Sequence, residues 1–599
     1  MGDETEDRDP AARTALTRRE ALQMTLVAGI SATAITFAVT DPATAADEVF
    51  LHGVASGDPL RDRVVIWTRV TRDGAAANIP VKWVVAEDRK MRRVVRNGRS
   101  LASLRQDYTV KVDVDGLKPG RTYFYRFEVG GKLSPVGRTR TLPRDGVRRL
   151  KFAVFSCSNY ELGYFNAYGE AAKHDDLDAV LHLGDYIYEY GPGPDGYTTP
   201  AAALELVPKP RDAALLPAEE IVLLDQYRAR HALYRTDAHL QALHRDNPFI
   251  NIWDDHEIAN DAWTSGAENH QPDEEGRWIA RKKAGVRAFY EWLPIREPKD
   301  GDRIDPVSNR PDEVYRVFDF GDLARLVMID TRHAGRNEQL GTADLLAVYA
   351  AAASQGPFPA DVHDRERPRT LLGSEQEEWL AGKLAATKQT WQLIGNQVLM
   401  FYQNAPDING TALLDEGQRA QFIGLLDQLF GPGFGVQLAA LGEVGLPFPL
   451  AADAWTGYPT ARLRMLSALA AAPNPIVLTG DSHNAWTANL VLPTDSEPVP
   501  VGPEFGCTSV SSPGYEQYLL GVPPELVAAL FVDSSARKSP ADTLIDAECA
   551  RRGFLLLEVT EEEAIVDHVF LSTVFEATYT TETRRFRVLP GARQAEPVT

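Results

Sequence analysis

Cysteine is scarce in this chain. Three cysteines in 599 residues are too few for a disulfide framework, and an odd number leaves at least one thiol unpaired or bonded to another molecule. Positive charge is also in deficit: Lys and Arg total 63 against 84 Asp and Glu, a formal net charge of −21. A surface that negative disfavours non-specific binding to duplex nucleic acid or anionic membranes. It leaves phosphate chemistry open, because bound cations reverse the local sign. Internal repeats and long low-complexity tracts are absent, which argues against a solenoid. The mildly apolar stretch from Met24 to Val39 is broken by Gly29, Ser31, Thr33 and Thr36. It is too short and too polar for a membrane span.

What is present is an ordinary globular composition, 44% hydrophobic and 25% charged, long enough for two or three domains. The most informative stretch is Asp178-Ala-Val-Leu-His-Leu-Gly-Asp-Tyr-Ile-Tyr188. It reads as a buried strand whose carboxyl end carries Asp185 and Tyr188, a carboxylate and a phenol suited to a hard cation such as Fe(III). Five further apolar runs end in side chains that bind metals or anions. Leu150–Phe155 leads to Cys157, and Pro248–Trp253 leads to Asp254, Asp255, His256 and Glu257. Ala324–Ile329 leads to Asp330 and Arg332, Thr390–Gly395 to Asn396, and Pro475–Thr479 to Asp481 and His483. Ligands of open α/β sheets gather at the carboxyl ends of strands. One such run means little, but six with this chemistry point to a composite metal site. Cys157 is then expected to be a thiolate ligand, with Cys507 and Cys549 either paired or buried.

Residues 1–46 read as an export signal. Thr17-Arg18-Arg19-Glu20-Ala21-Leu22 is a twin-arginine pattern, and Ala43-Thr-Ala45 offers a small-residue cleavage site. The twin-arginine machinery is therefore an expected partner, and the mature protein is expected in the periplasm or outside the cell. Residues 47–146 hold short strands, among them Arg63–Arg69, Val81–Val85 and Tyr108–Val114. Their spacing suggests a small all-β sandwich of the fibronectin or immunoglobulin type. From 147 to 590 strands alternate with helical patterns over Pro217–Arg245, Trp278–Leu293 and Ser374–Leu384, the last with Ser374 as N-cap. That order predicts a layered α/β domain. Inserts at 191–217, 295–312 and 431–459 read as surface loops, and 591–599 as a loose tail.

The motifs taken together resemble a known family. They are His52-Gly-Val-Ala-Ser-Gly-Asp-Pro59, Trp67-Thr-Arg69, Phe155-Ser-Cys157, Gly184-Asp-Tyr-Ile-Tyr-Glu-Tyr190 and Trp253-Asp-Asp-His-Glu257. They continue through Asp330-Thr-Arg332, Leu372-Gly-Ser-Glu-Gln-Glu-Glu-Trp379, Gly395-Asn-Gln397 and Gly480-Asp-Ser-His-Asn-Ala-Trp486. In this order they resemble the PhoD-type phosphatases and phosphodiesterases and, more distantly, the purple acid phosphatases. The resemblance implies a calcineurin-like α-β-β-α metallophosphoesterase domain after a β-sandwich, and an Fe(III) and Ca²⁺ centre. It implies that Cys157, Asp185 and Tyr188 hold iron, with Asp185 bridging to calcium. Asp255, Asp481, His483 and Asn396 would complete the metal ligands, and His256 would be the catalytic histidine.

The chemistry of the residue types agrees. Phosphate esters repel hydroxide, and two adjacent cations both neutralise the phosphoryl oxygens and acidify a water. Carboxylates suit Ca²⁺, whereas thiolate and phenolate suit Fe(III). His256 is expected as acid or transition-state stabiliser, and Arg332 as a fork onto phosphate oxygens. The plainer readings make Tyr188 a half-buried aromatic, Asp254 and Glu257 solvated acids, and Arg332 the ion-pair partner of Asp330. His182 and His52 read as structural. The leading function is a secreted phosphomonoesterase or phosphodiesterase. A phospholipase-like diesterase on lipid or teichoic-type substrates is the near alternative, and a Ca²⁺-binding adhesin or carbohydrate-binding protein the distant one.

Overall fold

The computed structural model describes residues 48–598 apart from 72–77, 192–210, 212–215, 298–313, 354–363, 365–367, 444–447, 520 and 539–541. The expected export signal, and most of the inserts at 191–217 and 295–312, lie outside the described residues. Two sheets, of ten and seven strands, organise the rest. In the middle of the first, Arg149–Phe155, Ala179–His182 and Pro248–Asn251 run parallel, with Leu181 opposite Val154 and Ile250. In the middle of the second, Ala324–Met328, Trp391–Gly395 and Pro475–Thr479 run parallel, with Leu393 opposite Leu326 and Ile476.

Alternation along these strands decides the layering. Leu326, Leu393 and Ile476 share one core with Phe152, Leu181 and Ile250 of the first sheet. Their neighbours Val327, Ile394 and Val477 point the other way, into a second core with helices Gly373–Ala385 and Pro459–Ala470. The two-residue period of a strand thus serves sheet and helix layers at once, which is why the runs are apolar throughout. Helices Leu224–Tyr234, Ala238–Asp246 and Trp278–Trp292 place Tyr227, Leu243 and Phe289 in the first core. The layered α/β expectation holds.

The early residues form a sandwich, as expected. A five-stranded sheet turns Val81, Val85, Tyr125 and Phe127 inward against Val64, Ile66, Val110 and Val114. The opposing wall, however, is not separate. Val54–Gly57 pairs in parallel with Pro248–Asn251, Ser56 opposite Pro248 and Gly57 opposite Phe249. Val64–Arg69 and Thr109–Val114 extend the same sheet outward. Backbone hydrogen bonding therefore runs straight across residue 146.

Four local expectations are corrected. The helical pattern over 217–245 is two helices, because Asp237 caps the second by accepting from Leu240 N at 2.9 Å. Ser374 is not a cap: the helix begins at Gly373 after Leu372, and Thr370 Oγ1 accepts from Gly373 N at 2.7 Å. The 431–459 insert contains a helix, Phe434–Glu443. The supposed tail contains Ala595–Pro597, an outer strand paired with Thr581–Val588, its Ala595 buried. Cys507 and Cys549 remain unpaired buried thiols.

Candidate metal centre

Five of the six central strands deliver side chains to one place. Cys157, Asp185, Asp255, His256, Arg332, Asp481 and His483 follow them within a few residues, in backbone turned sharply out of the strand. Cys157, Asp185, Asp481 and His483 all have positive φ, between 54° and 61°, a region non-glycine residues rarely occupy and one that clusters at functional sites. Gly184 makes the crowding possible. Its φ is 116°, and a Cβ there would lie 2.4 Å from Asp254 N and Cβ. Only glycine lets the loop carrying Asp185 lie against the loop carrying Asp254.

Three groups of donor atoms result. The sulfur of Cys157, a carboxylate oxygen of Asp185 and a ring nitrogen of His483 lie within 4.8 Å of one another. Asp185, Asp255 and His256 form a second such group, and Asp254, Asp255 and Asp481 a third. Shared Asp185 links the first two, and shared Asp255 the second and third. Tyr188 closes the first. Its phenol oxygen is 3.1 Å from Asp185 Oδ2 and 3.1 Å from His483 Nε2, and it accepts from Ser512 Oγ at 2.7 Å. His483 Nδ1 lies 2.7 Å from Pro513 O. A carbonyl only accepts, so the proton sits on Nδ1 and the Nε2 lone pair faces the cluster, the arrangement of metal-binding histidines.

The electrostatics ask for cations. Burial raises the carboxyl of Asp254 to about 6 and that of Asp261 to about 7, and Asp185 and Asp481 are pushed well above the ordinary range, with neighbouring acids adding to each. Burial also drives the Cys157 thiol up, reinforced by Asp185, Asp481 and Asp254. Asp255 differs: burial opposes its charge, but Arg332 and His256 hold it well below the usual range. Asp185 Oδ1 and Asp254 Oδ2 are buried and accept no hydrogen bond. Orphaned carboxylate oxygens in a crowd of acids cost several kcal/mol unless a cation meets them, and the donor set fits one.

Two residues do not behave as expected. Asn396 is not brought into the cluster: its amide donates to Val398 O at 2.6 Å, and its oxygen accepts from Trp455 Nε1 at 3.2 Å. It braces the strand end instead. Arg332, expected as a fork onto phosphate oxygens, turns to acids, and its Nη1 has no partner among the described residues. It is fully buried, donating from Nε to Asp254 at 2.5 Å and from Nη2 to Asp481 at 2.6 Å, with Asp453 at 3.4 Å. Nor does it pair with Asp330, whose carboxylate accepts from the backbone of Arg332 and His333 at 2.9 Å each.

Other residues were missed by sequence reasoning. Glu189 Oε2 lies 2.7 Å from His256 Nδ1, and its other oxygen accepts from Asn260 N and Asn269 Nδ2. Tyr188 stacks on His256 at 4.2 Å between ring centroids. Glu257 accepts from the backbone of Asp185, Tyr186 and Asp254, tying the loops that carry Asp185 and Asp254 together. Asp254 and Glu257, at 1% and 0% exposure, are not solvated acids. Asp453 comes from a loop whose sequence bears no motif. Glu189, in contrast, stands inside the Gly184–Tyr190 motif, four residues after Asp185.

Comparison with known proteins follows the same outline. Residues 152–568 match the PhoD-like phosphatase family, and residues 34–143 match the PhoD-like phosphatase N-terminal domain. Alkaline phosphatase D of Bacillus subtilis (strain 168) is 36% identical over 477 residues, 78% of this chain and 70% of that one. The solved structure of PhoD aligns with a TM-score of 0.69 and 31% identity, over 93% of this chain and 94% of its own. Matched through its sandwich and through the strands that carry the cluster, the chain belongs to the PhoD-like phosphatase family.

Proposed function

We propose that this metal-dependent phosphoester hydrolase works with an Fe(III) and Ca²⁺ centre, iron held by Cys157, Asp185, Tyr188 and His483. Calcium falls to Asp185, Asp255 and Asp481. The observation that carries this reading is the convergence of a thiol, a phenol and an imidazole around the carboxylate of Asp185, a donor set soft and hard enough for Fe(III). The all-carboxylate group of Asp254, Asp255 and Asp481 lies beside it, sharing Asp255 with the Asp185 group, and carboxylates suit Ca²⁺. Bound there, the cations would neutralise the phosphoryl oxygens and lower the pKa of the attacking water.

The chain's own residues supply the rest. Glu189 holds His256 by Nδ1 and Tyr188 holds it by its face, so Nε2 is the atom left to act. Burial disfavours the imidazolium, whereas Asp255 and Glu189 favour it. With Nε2 free, His256 is placed to pass a proton to the departing alkoxide. Arg332 neutralises Asp254 and Asp481 and fixes their spacing. The adhesin reading loses its basis, because adhesion has no use for a buried thiol, phenol and imidazole at strand ends.

The test is elemental analysis of natively exported protein together with its visible spectrum. Iron and a tyrosinate band lost in Tyr188→Phe are expected. A colourless, iron-free and fully active enzyme would overturn the ligand set. Monoester and diester activity are separated by an aryl phosphate and a bis-aryl phosphate. Export by the twin-arginine route rests on Arg18 and Arg19, and replacing both by Lys should retain the precursor in the cytoplasm.

A further inference from the structure

One loop grips both ring side chains of the first donor group. Strand Val499–Gly506 pairs in parallel with Pro475–Thr479, Phe505 opposite Leu478. Its exit therefore lies beside the turn that carries Asp481 and His483. Ser509, Ser511, Ser512 and Pro513 follow it. Pro513 O accepts from His483 Nδ1 at 2.7 Å, and one residue earlier Ser512 Oγ lies 2.7 Å from the Tyr188 phenol oxygen. The three serines are at most 1% exposed, and each hydroxyl has a partner. Ser509 donates to Ser512 O at 2.6 Å, and Ser511 to Asn159 O at 2.7 Å. The backbone N–H groups of Ser511 and Ser512 both donate to Cys157 O at 3.4 Å. Ser512 is fixed from both sides.

A serine hydroxyl has one proton. Here it faces two acceptors, Tyr188 Oη at 2.7 Å and Cys157 O at 3.0 Å. The state of the phenol decides between them. As a metal ligand Tyr188 carries no proton, so its oxygen can only accept. Asp185 Oδ2 and His483 Nε2, each 3.1 Å away, offer it none, one being a carboxylate oxygen and the other a lone pair. Ser512 does offer one, and a hydrogen bond to an ionised oxygen is shorter and roughly twice as strong as one to a neutral carbonyl. Cys157 O loses little, because two backbone N–H groups stay on it. The hydroxyl therefore turns to the phenolate when the centre is loaded.

We infer that Ser512 is a positioning residue for Tyr188, donating to its phenolate and so limiting how much charge that ligand gives the iron. The inference rests on the proposed Fe(III) centre and deepens it. Groups that hydrogen-bond to metal ligands orient them and tune the metal, and such bonds are among a protein's levers on an iron centre's potential. A donated proton draws phenolate charge towards the serine and away from the metal. Without it Tyr188 is a stronger donor, so its charge-transfer band falls in energy and the iron becomes harder to reduce.

The test compares the visible spectrum, iron content and Fe(III)/Fe(II) potential of the natively exported enzyme with those of Ser512→Ala and Ser511→Ala. Ser511→Ala removes a hydroxyl of the same buried loop that bonds to Asn159 O instead of Tyr188, so it controls for a loosened loop. Expected in Ser512→Ala is full iron content, a Tyr188-dependent band moved to longer wavelength and a lower potential. Ser511→Ala should keep the native band and potential. An unmoved band in Ser512→Ala overturns the inference, and so does an equal movement in Ser511→Ala. Loss of iron from Ser512→Ala overturns it as well, since the residue would then hold the centre together rather than tune it. A native enzyme with no band that Tyr188→Phe removes sinks the proposed ligand set first, and this inference with it.

Discussion

His256 and Asp185 belong to the same group of donor atoms, yet they should fail in different ways. Asp185 joins two groups, so Asp185→Asn should remove metal and activity together. His256→Ala should leave the metal content intact and slow turnover by roughly two to four decades, the usual worth of acid–base help. Metal analysis beside kcat decides it, and equal metal loss in both variants would make His256 a ligand instead. At this scale the sequence was legible where a side chain follows an apolar run directly, as Cys157, Tyr188, Asp481 and His483 do. It was not legible where role depends on direction. Asn396 follows its strand as closely as Asp481 follows its own, but Val398 O and Trp455 Nε1 occupy its amide. Arg332 lies buried amid the acids and is drawn to Asp254 and Asp481. Asp453 arrives from a loop far along the chain, and no local pattern announces it.

Among the elements, the turn at Gly184 carries the closest approach in the site. Gly184→Ala combines a φ of 116° with a Cβ 2.4 Å from Asp254 backbone, and should cost roughly 3 kcal/mol or more. Gly130 is the control: its φ is 58° with nothing within 4 Å, so Gly130→Ala should cost only about 1–2 kcal/mol. Urea unfolding of both variants separates strain from collision, and similar losses would deny the collision. The six central strands were legible because layers on both faces demand unbroken apolar runs. Ends of helices were harder, since Asp237 interrupts a helical pattern that hydrophobicity alone continues. The strand Ala595–Pro597 was hidden because an outer strand buries little, here Ala595, and its charged neighbours read as solvent-facing.

For the molecule as a whole, acid stability should be set by histidines buried away from the centre. His231 and His568 are both pulled down to about 3, by burial first and then by Arg235 and Arg584 respectively. An unfolded histidine titrates near 6.5, so between about 6.5 and 3 the unfolded chain holds protons the folded one refuses. Stability is then unaffected by these groups above about pH 6.5 and falls as the pH drops below it. Each contributes a slope of up to about 1.4 kcal/mol per pH unit. His231→Leu should flatten the dependence by that amount in urea titrations at pH 4, 5, 6 and 7; an unchanged slope would show that His231 is protonated in the fold. The layered architecture was legible, but the continuity of sheet across residue 146 was not, because strand partners distant in sequence leave no local trace.

That continuity bears on when the enzyme comes to life. The early strands Val54–Gly57, Val64–Arg69 and Thr109–Val114 flank the parallel centre on one side, and Gly553–Thr560 and its successors flank it on the other. Arg149–Phe155, which leads to Cys157, must wait about 400 residues for its antiparallel neighbour. A ribosome-bound fragment lacking those late strands leaves that flank bare, and the strand leading to Cys157 gains its second neighbour only when the end of the chain is in place.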